Sequence, residues 1–232
     1  MNYQYLGVAI MQMNKDAVSE DNNIDTEIDN IIGRPSPSYH LEEYWEKRYQ
    51  TDVNSYEWYQ DPDDLIPVIK SEFKTKEKAL DVGCGSSTLP IGLIDIGFEK
   101  VIGLDISKTV IEQNKKRYEN IRNLEFVVGD VTKMQFEDKS FDIVIDKGTM
   151  DSLLSSLVIH KKANLMLEEI IRVLKPNGVF IEISYGTPGT RTPLFEKLKE
   201  FWNIDSPKTI IKPNDKKSSH YIYIAQKKGE KR

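Results

Sequence analysis

The stretch Leu80-Asp81-Val82-Gly83-Cys84-Gly85-Ser86-Ser87 decides the fold, because an apolar run leads into two glycines where a strand would turn into a helix. Glycine permits a tight turn and lets a ligand approach the backbone closely. A dinucleotide-binding loop of the form GxGxxG would place its third glycine at position 88, where the chain has Thr88. The loop therefore predicts a ligand-binding turn that is looser than one built around a pyrophosphate. The alternative is a turn that binds nothing.

From Lys78 onward, short apolar runs alternate with helical segments, which is the pattern of βαβ units in an α/β protein with a mostly parallel sheet. We predict strands at Ala79–Val82, Lys100–Leu104, Leu124–Val128, Phe141–Ile145, Gly178–Ile183, Thr209–Ile211 and Tyr221–Ala225, the last two forming an antiparallel edge. We predict helices at Leu65–Phe73, Leu89–Leu93, Lys108–Tyr118, Lys161–Leu174 and Glu196–Trp202.

Acidic residues stand at the carboxyl ends of three of these strands, where ligands bind in open α/β sheets. Asp105 follows the glycine turn by about 20 positions, the spacing of an acceptor for ribose hydroxyls, and Ile106 beside it is placed to pack on adenine. Asp130 is placed to accept from the adenine amino group, next to the backbone of Val131. Asp146 ends the fourth strand.

The composition excludes several classes of protein. With 39% hydrophobic and 30% charged residues among 232, the chain suits one α/β domain, and no run approaches the roughly 18 apolar residues that span a bilayer. Cys84 is the single cysteine, so no internal disulfide is possible, and we expect no metal site and a cytoplasmic location. A net charge of −5 disfavours nucleic acid as a partner.

The start of the chain differs from the rest. We predict that residues 1–38 form a poorly ordered acidic extension, either solvated or docking a partner, and that residues 39–232 form the folded domain. At the start of that domain, helical spacing predicts a helix with one aromatic face, formed by Leu41, Tyr44, Trp45, Arg48 and Tyr49.

Four motifs of the chain resemble, in the same order, the motif series of the class I methyltransferases that depend on S-adenosylmethionine (SAM). They are the glycine loop, Asp105, Gly129-Asp130 and Leu174-Lys175-Pro176-Asn177-Gly178. The resemblance implies a Rossmann-like, seven-stranded, mostly parallel sheet with helices on both faces and an antiparallel last strand. It also implies SAM as the cofactor and S-adenosylhomocysteine (SAH) as its product. SAM has no phosphate, which agrees with the missing third glycine.

Two further segments, residues 43–49 with 56–59 and residues 146–154, resemble one branch of that superfamily. The branch comprises the methyltransferase-like lysine methyltransferases of translation elongation factor 1-alpha, among them the endothelin-converting enzyme 2-associated methyltransferases. It implies that the aromatic helix lies over the SAM site. It also implies SAM contacts from Trp45, Tyr49, Trp58, Asp81, Gly83, Gly85, Asp105, Ile106, Asp130, Val131 and Lys147.

Physical chemistry gives reasons for some of these contacts. Aromatic faces stabilise the positive sulfonium of SAM, although Trp45 and Trp58 would equally suit plain core packing. A lysine cation opposes a sulfonium, so we expect Lys147 to contact SAM through its backbone or aliphatic stem, with the ammonium in solvent.

The acceptor side has fewer sequence signals. For a lysine acceptor, Asp146 or Asp151 is placed to orient the ammonium, and Tyr185 to line the acceptor channel. Asp151 alternatively caps the helix that follows. A lysine amine loses its proton when it is desolvated, so no dedicated base is required. The fourth strand ends without the Asn-Pro-Pro-Tyr sequence of many adenine and glutamine-amide methyltransferases, which disfavours a nucleic-acid acceptor.

The leading hypothesis is a protein-lysine methyltransferase, with elongation factor 1-alpha as the target that the resemblance implies. The alternatives are a methyltransferase for a small molecule and a SAM-binding interaction protein without turnover. An open groove would favour a protein substrate, a sealed cavity a metabolite, and a filled mouth a binding-only role. The sequence leaves the oligomeric state open.

Overall fold

The computed structural model describes residues 38–72, 75–155, 160–212 and 215–229. The predicted acidic extension lies almost wholly outside these residues, as does Phe73 at the end of one predicted helix. The helices are α1 (Glu42–Thr51), α2 (Pro62–Ser71), α3 (Leu89–Asp95), α4 (Lys108–Arg117), α5 (Thr149–Leu153), α6 (His160–Val173) and α7 (Pro188–Glu196). The strands are β1 (Lys78–Val82), β2 (Lys100–Asp105), β3 (Leu124–Val128), β4 (Phe141–Lys147), β5 (Leu174–Ser184), β6 (Trp202–Ile204), β7 (Lys208–Lys212) and β8 (Asp215–Lys227).

The strands form one mixed sheet in the spatial order β3-β2-β1-β4-β5-β8-β6, with β7 also paired to β8. The first five strands are parallel, and β8 is antiparallel to β5. The strand order reverses between β1 and β4, which opens a crevice at the carboxyl ends of the strands. This topology confirms the predicted α/β, Rossmann-like sheet with an antiparallel last strand.

The described residues form eight strands, one more than predicted, because the outer edge strand is divided into two pieces. β6 pairs with β8 through Trp202 and Lys227, and β7 pairs with the same edge of β8 through Thr209 and Tyr221. Pro207 lies between the two pieces. Proline has no amide hydrogen to donate, so it favours an interruption of the hydrogen-bond ladder at this point.

The helix predicted at Glu196–Trp202 is wrong, because α7 ends where this segment begins and β6 starts at Trp202. The indole of Trp202 is 1% exposed and stacks on the ring of Phe180, with 6.2 Å between centroids. Burying so large a ring between the sheet and α7 outweighs the local helical pattern.

Alternate residues of the central strands point to opposite faces of the sheet, and each face has its own apolar core. Val144 and Phe180 pack in the core that contains side chains of α6 and α7. Ile143 and Ile181 pack in the core that contains side chains of α2 and α3. Each such buried side chain contributes about 1.5–3 kcal/mol to folding. Helices therefore cover both faces, as predicted, and hold the strand ends rigidly in place.

Candidate functional site

The carboxyl ends of β1 to β5 border a cavity of about 740 Å³. Its lining includes every residue predicted to contact SAM, namely Trp45, Tyr49, Trp58, Asp81, Gly83, Gly85, Asp105, Ile106, Asp130, Val131 and Lys147. It also includes Asp151 and Tyr185, but not Asp146. The structure thus brings residues from six separate segments to one place at the switch point of the sheet.

The glycine loop between β1 and α3 is tightly packed against its neighbours. Gly83 has a φ of +65°, and a Cβ there would lie 1.8 Å from Oγ1 of Thr149. Gly85 has a φ of +49°, and a Cβ there would lie 2.6 Å from the hydroxyl oxygen of Tyr49. Both positions therefore need glycine for conformation and for space. The loop leaves backbone rather than side chain at the floor of the cavity.

Two strand-end acids are held by nearby backbone amides. The carboxylate of Asp105 accepts from the amides of Gly85 at 2.8 Å and Ser107 at 2.9 Å. Burial nevertheless raises the pKa of Asp105 to about 6, because desolvation outweighs these bonds. Asp130 accepts from the amide and the hydroxyl of Thr132, both at 2.7 Å.

Asp81, at the end of β1, has an unusual environment. Its side chain is 2% exposed, and its Oδ2 has no hydrogen-bond partner among the described residues. Burial raises the pKa of Asp81 well above its usual range, while the nearby Lys147 cation opposes that rise. Because Asp81 lines the cavity, its free oxygen is available to a polar group of a ligand.

An aromatic lid, formed by α1 and residues 52–60, closes one side of the cavity. The rings of Trp45 and Tyr49 stack with 6.0 Å between centroids, and Trp58 meets Trp45 edge-on at 6.1 Å. The guanidinium of Arg48 lies 5.1 Å from the centroid of Trp58 and 5.9 Å from that of Trp45. The tryptophans therefore pack together, as one of the two expectations had it, and they also line the cavity; their contact with SAM stays a prediction.

Two glutamates that sequence reasoning missed fasten this lid to the sheet. Glu46 of α1 accepts from the Ser107 hydroxyl at 2.6 Å and from the amide of Thr109 at 3.2 Å, at the start of α4. Hydrogen bonds from these residues lower the pKa of Glu46. Glu57 accepts from the amide of Thr88 at 2.6 Å, at the start of α3. Each carboxylate thus caps the start of a helix that follows a cavity-lining loop, where the helix dipole favours negative charge.

The prediction that the ammonium of Lys147, at the end of β4, lies in solvent is wrong. The residue is 8% exposed, and its Nζ forms an ion pair with Glu57 and donates to the carbonyl of Trp58 at 3.3 Å. A lysine cation buried beside the cavity needs such a counter-charge, because an unpaired buried charge is costly. Sequence alone gave no sign of this pair, since its members are 90 positions apart.

Asp151, in α5, is held by donors from across the fold. Its carboxylate accepts from the hydroxyls of Tyr59 at 2.9 Å and Ser184 at 2.8 Å, and from the amide of Tyr185 at 3.0 Å. Arg191 of α7 forms an ion pair with it. These bonds fix the carboxylate in the cavity wall beside the exposed ring of Tyr185.

Arg191 also reaches Glu182 of β5, with 2.7 Å between Nε and Oε1. Glu182 is fully buried and its Oε2 has no partner among the described residues. Burial raises the pKa of Glu182 to about 8, although the Arg191 cation opposes that rise. Arg191 therefore bridges two carboxylates, and neither it nor Glu182 belonged to any motif in the sequence.

Asp146 has a structural position instead. It is fully buried and accepts from the amides of Thr149 at 2.7 Å and Met150 at 3.0 Å. These amides open α5, so Asp146 performs the capping role that the sequence offered to Asp151. Burial raises the pKa of Asp146 to about 7. It supports the helix that carries Asp151 but does not line the cavity.

Known proteins resemble this chain in sequence. Residues 73–229 match the family model described as a methyltransferase domain. The chain is 36% identical over 159 residues to the mouse protein named eEF1A lysine and N-terminal methyltransferase. The aligned region covers 67% of this chain and 23% of the mouse protein. It is 32% identical over 177 residues to bovine EEF1A lysine methyltransferase 4, and this aligned region covers 72% of this chain and 69% of the bovine protein. The match thus spans less than a quarter of the mouse relative's length.

Solved structures show the same fold. A SAM-dependent methyltransferase from Methanosarcina mazei aligns with a TM-score of 0.58 at 21% identity, covering 71% of this chain and 98% of its own. A TehB-like SAM-dependent methyltransferase from Corynebacterium glutamicum aligns with a TM-score of 0.56 at 19% identity, covering 81% and 98%. None of the helices in the described residues has the length and apolarity to cross a membrane.

The matched family model extends over more than half of the chain, and its match ends at residue 229, the last described residue. The aromatic lid, at residues 42–60, lies before the matched stretch. The chain belongs to the methyltransferase domain family and has the fold of the SAM-dependent methyltransferases.

Proposed function

We propose that this protein is a SAM-dependent protein-lysine N-methyltransferase that acts on elongation factor 1-alpha or a similar protein. The observation that carries the proposal is one cavity that joins the acids Asp81, Asp105 and Asp130 to Asp151 and Tyr185. The first three suit a nucleoside with an amino acid arm, and the last two suit an amine acceptor. A cytoplasmic location is part of the same proposal.

The residues present fit SAM. Gly83 and Gly85 of the glycine loop line the cavity, and the unpartnered oxygen of Asp81 is free to accept from a polar group of the cofactor. Asp105 would hold the ribose hydroxyls and Asp130 the adenine amino group, with Ile106 against the ring. When bound, SAM supplies an electrophilic methyl group and leaves as SAH. The lid keeps water from the reacting atoms.

The acceptor side suits a lysine that enters from the surface. Tyr185 is 64% exposed and Tyr56 is 47% exposed, and both line the cavity, so among the described residues its mouth is open. The carboxylate of Asp151 would orient an incoming ammonium. Desolvation in the aromatic wall would lower the pKa of the amine, so that the amine would release its proton to solvent and present its lone pair to the methyl group that SAM would supply.

The names of the relatives support a protein acceptor. The mouse and bovine proteins are both named as eEF1A lysine methyltransferases. The open mouth favours the same class of acceptor over a small metabolite. Elongation factor 1-alpha is therefore the first substrate to test.

The test incubates the purified protein with methyl-labelled SAM and either elongation factor 1-alpha or a cell lysate. Asp151→Asn should lower methyl transfer about 100-fold, because the acceptor is no longer oriented, and should change SAM affinity less than about twofold. Asp138→Asn is the matched control, since Asp138 is 69% exposed and remote from the cavity. It should transfer methyl groups at the wild-type rate.

The outcome separates the alternatives. Label on lysine of a protein, lost in Asp151→Asn, supports the proposal. Label only in small molecules makes the protein a small-molecule methyltransferase. Binding of SAM without transfer to any fraction makes it a non-catalytic SAM-binding protein.

A further inference from the structure

The ion pair between Lys147 and Glu57 lies where a cofactor charge would be felt. Lys147 lines the cavity, and its side chain is 5% exposed. The Glu57 side chain is 17% exposed and does not line the cavity. The pair therefore places a cation in the wall and its counter-charge immediately behind it. The effect of both charges on the pKa of Asp81 shows that their field reaches the cavity wall.

Glu57 is fixed by more than this pair. Besides the Thr88 amide, it accepts from the hydroxyls of Ser87 at 2.8 Å and Thr88 at 3.0 Å. These neutral donors hold the carboxylate on the start of α3 whether or not Lys147 is present. A glutamine at position 57 keeps an acceptor oxygen for the Thr88 amide but carries no charge. The charge of Glu57 is thus separable from its structural role.

SAM and SAH differ in one charge. SAM has a positive sulfonium that bears the methyl group, whereas SAH has a neutral thioether without it, and the adenosine and amino acid parts of the two molecules are the same. An uncompensated lysine in the cavity wall would repel the first and leave the second unaffected. At an effective dielectric constant of about 20, two unit charges within about 10 Å change a binding constant by about tenfold or more.

We propose that Glu57 is a specificity-determining residue that neutralises Lys147 and thereby removes a repulsion that would make the site favour a neutral ligand such as SAH over SAM. The inference rests on the proposed function, since it assumes that the cavity binds SAM. It assigns a cofactor role to a residue of the aromatic lid, outside the matched methyltransferase domain. The lid then contributes electrostatics as well as cover.

The experiment measures the dissociation constants of SAM and SAH separately by calorimetry, and compares their ratio between variants. Glu57→Gln leaves the lysine cation unpaired and should raise Kd(SAM)/Kd(SAH) about tenfold. Lys147→Met leaves the carboxylate unpaired and should lower the ratio by a similar factor. The double variant has neither charge and should return the ratio to within about twofold of wild type.

The matched control is Glu46→Gln, because Glu46 fastens the same lid but bonds the neutral donors Ser107 and Thr109. Its charge also acts on Asp105 of the cavity wall, so Glu46→Gln should change Kd(SAM)/Kd(SAH), but by less than Glu57→Gln does, because it leaves no lysine unpaired. If Glu57→Gln fails to fold, the opposite shift in Lys147→Met still tests the proposal. Ratios that stay within twofold in all variants, while wild type binds both ligands, would overturn it. Wild-type protein that binds neither ligand would overturn the proposed function and this inference together.

Discussion

The two halves of the cavity are built in different ways. On the side that we propose binds the cofactor, the carboxylates of Asp105 and Asp130 take hydrogen bonds from backbone amides of adjacent loops. On the acceptor side, Asp151 takes most of its bonds from the side chains of Tyr59, Ser184 and Arg191, which lie 92, 33 and 40 positions away. The first half depends on backbone geometry and the second on particular distant side chains.

This difference has an energetic consequence. Backbone amides are present whatever residue supplies them, so a cofactor loop tolerates change in its neighbours as long as the turn is kept. A buried side-chain network loses a whole partner when one residue is replaced, and the remaining charges are left uncompensated. Substitutions on the acceptor side should therefore cost more stability than substitutions on the cofactor side.

The largest effect should come from Arg191→Met. This change leaves Asp151 and Glu182 without their shared cation in a buried site, and it should lower the free energy of unfolding by about 3–5 kcal/mol. Urea denaturation measures it. Arg117→Met is the control, because Arg117 is exposed and its described contacts are a hydrogen bond to the carbonyl of Val53 and a ring contact with Tyr118, neither of them with a buried charge. A loss for Arg191→Met no larger than that of the control would refute the contrast between the two halves.

An intermediate effect should appear in the pH dependence of SAM binding. Burial raises the pKa of Asp105 to about 6, so its carboxylate gains a proton as the pH falls through 6. The proton removes the charge that, as proposed, would accept from the ribose hydroxyls, and SAM affinity should fall about tenfold between pH 7.5 and 5. Above about pH 7 the contribution of Asp105 should be constant.

Asp105→Asn tests the assignment of this titration. The variant should bind SAM about tenfold more weakly than wild type at pH 7.5, and the drop toward pH 5 should largely vanish. Calorimetry at several pH values measures both quantities. A variant that keeps the wild-type pH profile would show that another group titrates.

The smallest effect should come from Ser107→Ala on the cofactor side. Ser107 caps α4 through its hydroxyl, which accepts from the amide of Val110 at 3.4 Å and donates to Glu46. Its loss should cost about 1 kcal/mol of unfolding free energy, because the backbone bond to Asp105 remains. Ser71→Ala, on an exposed helix end, should cost close to nothing. A loss of more than 3 kcal/mol for Ser107→Ala would erase the contrast.

Much of the fold was predictable because its signals are local. The strands β1 to β5 and the helices α3, α4 and α6 follow from apolar runs and helical spacing within one segment. The helix predicted at Glu196–Trp202 is wrong because Trp202 begins β6, where its large ring packs on Phe180. That contact is formed between residues distant in sequence, so no local pattern predicts it.

Asp146 at the end of β4 and Asp151 in α5 show the same limit within the site. Asp146 and Asp151 were equal candidates to orient an acceptor, since both follow the strand at short range. In the structure, Asp146 lies beneath the first amides of α5, while Asp151 lines the cavity. Which acid faces the cavity depends on how the turn at Gly148 directs α5, with a φ of +89°.

By itself, the sequence determined the α/β sheet, the glycine loop and the strand-end acids, because periodicity and backbone chemistry act over a few residues. Only the tertiary structure decided which charges meet: Glu57 with Lys147, and Arg191 with Asp151 and Glu182. Such pairs form between segments 9 to 90 positions apart, and their energy depends on shared burial. Burial is a property of the assembled fold, which is why no stretch of sequence specifies them.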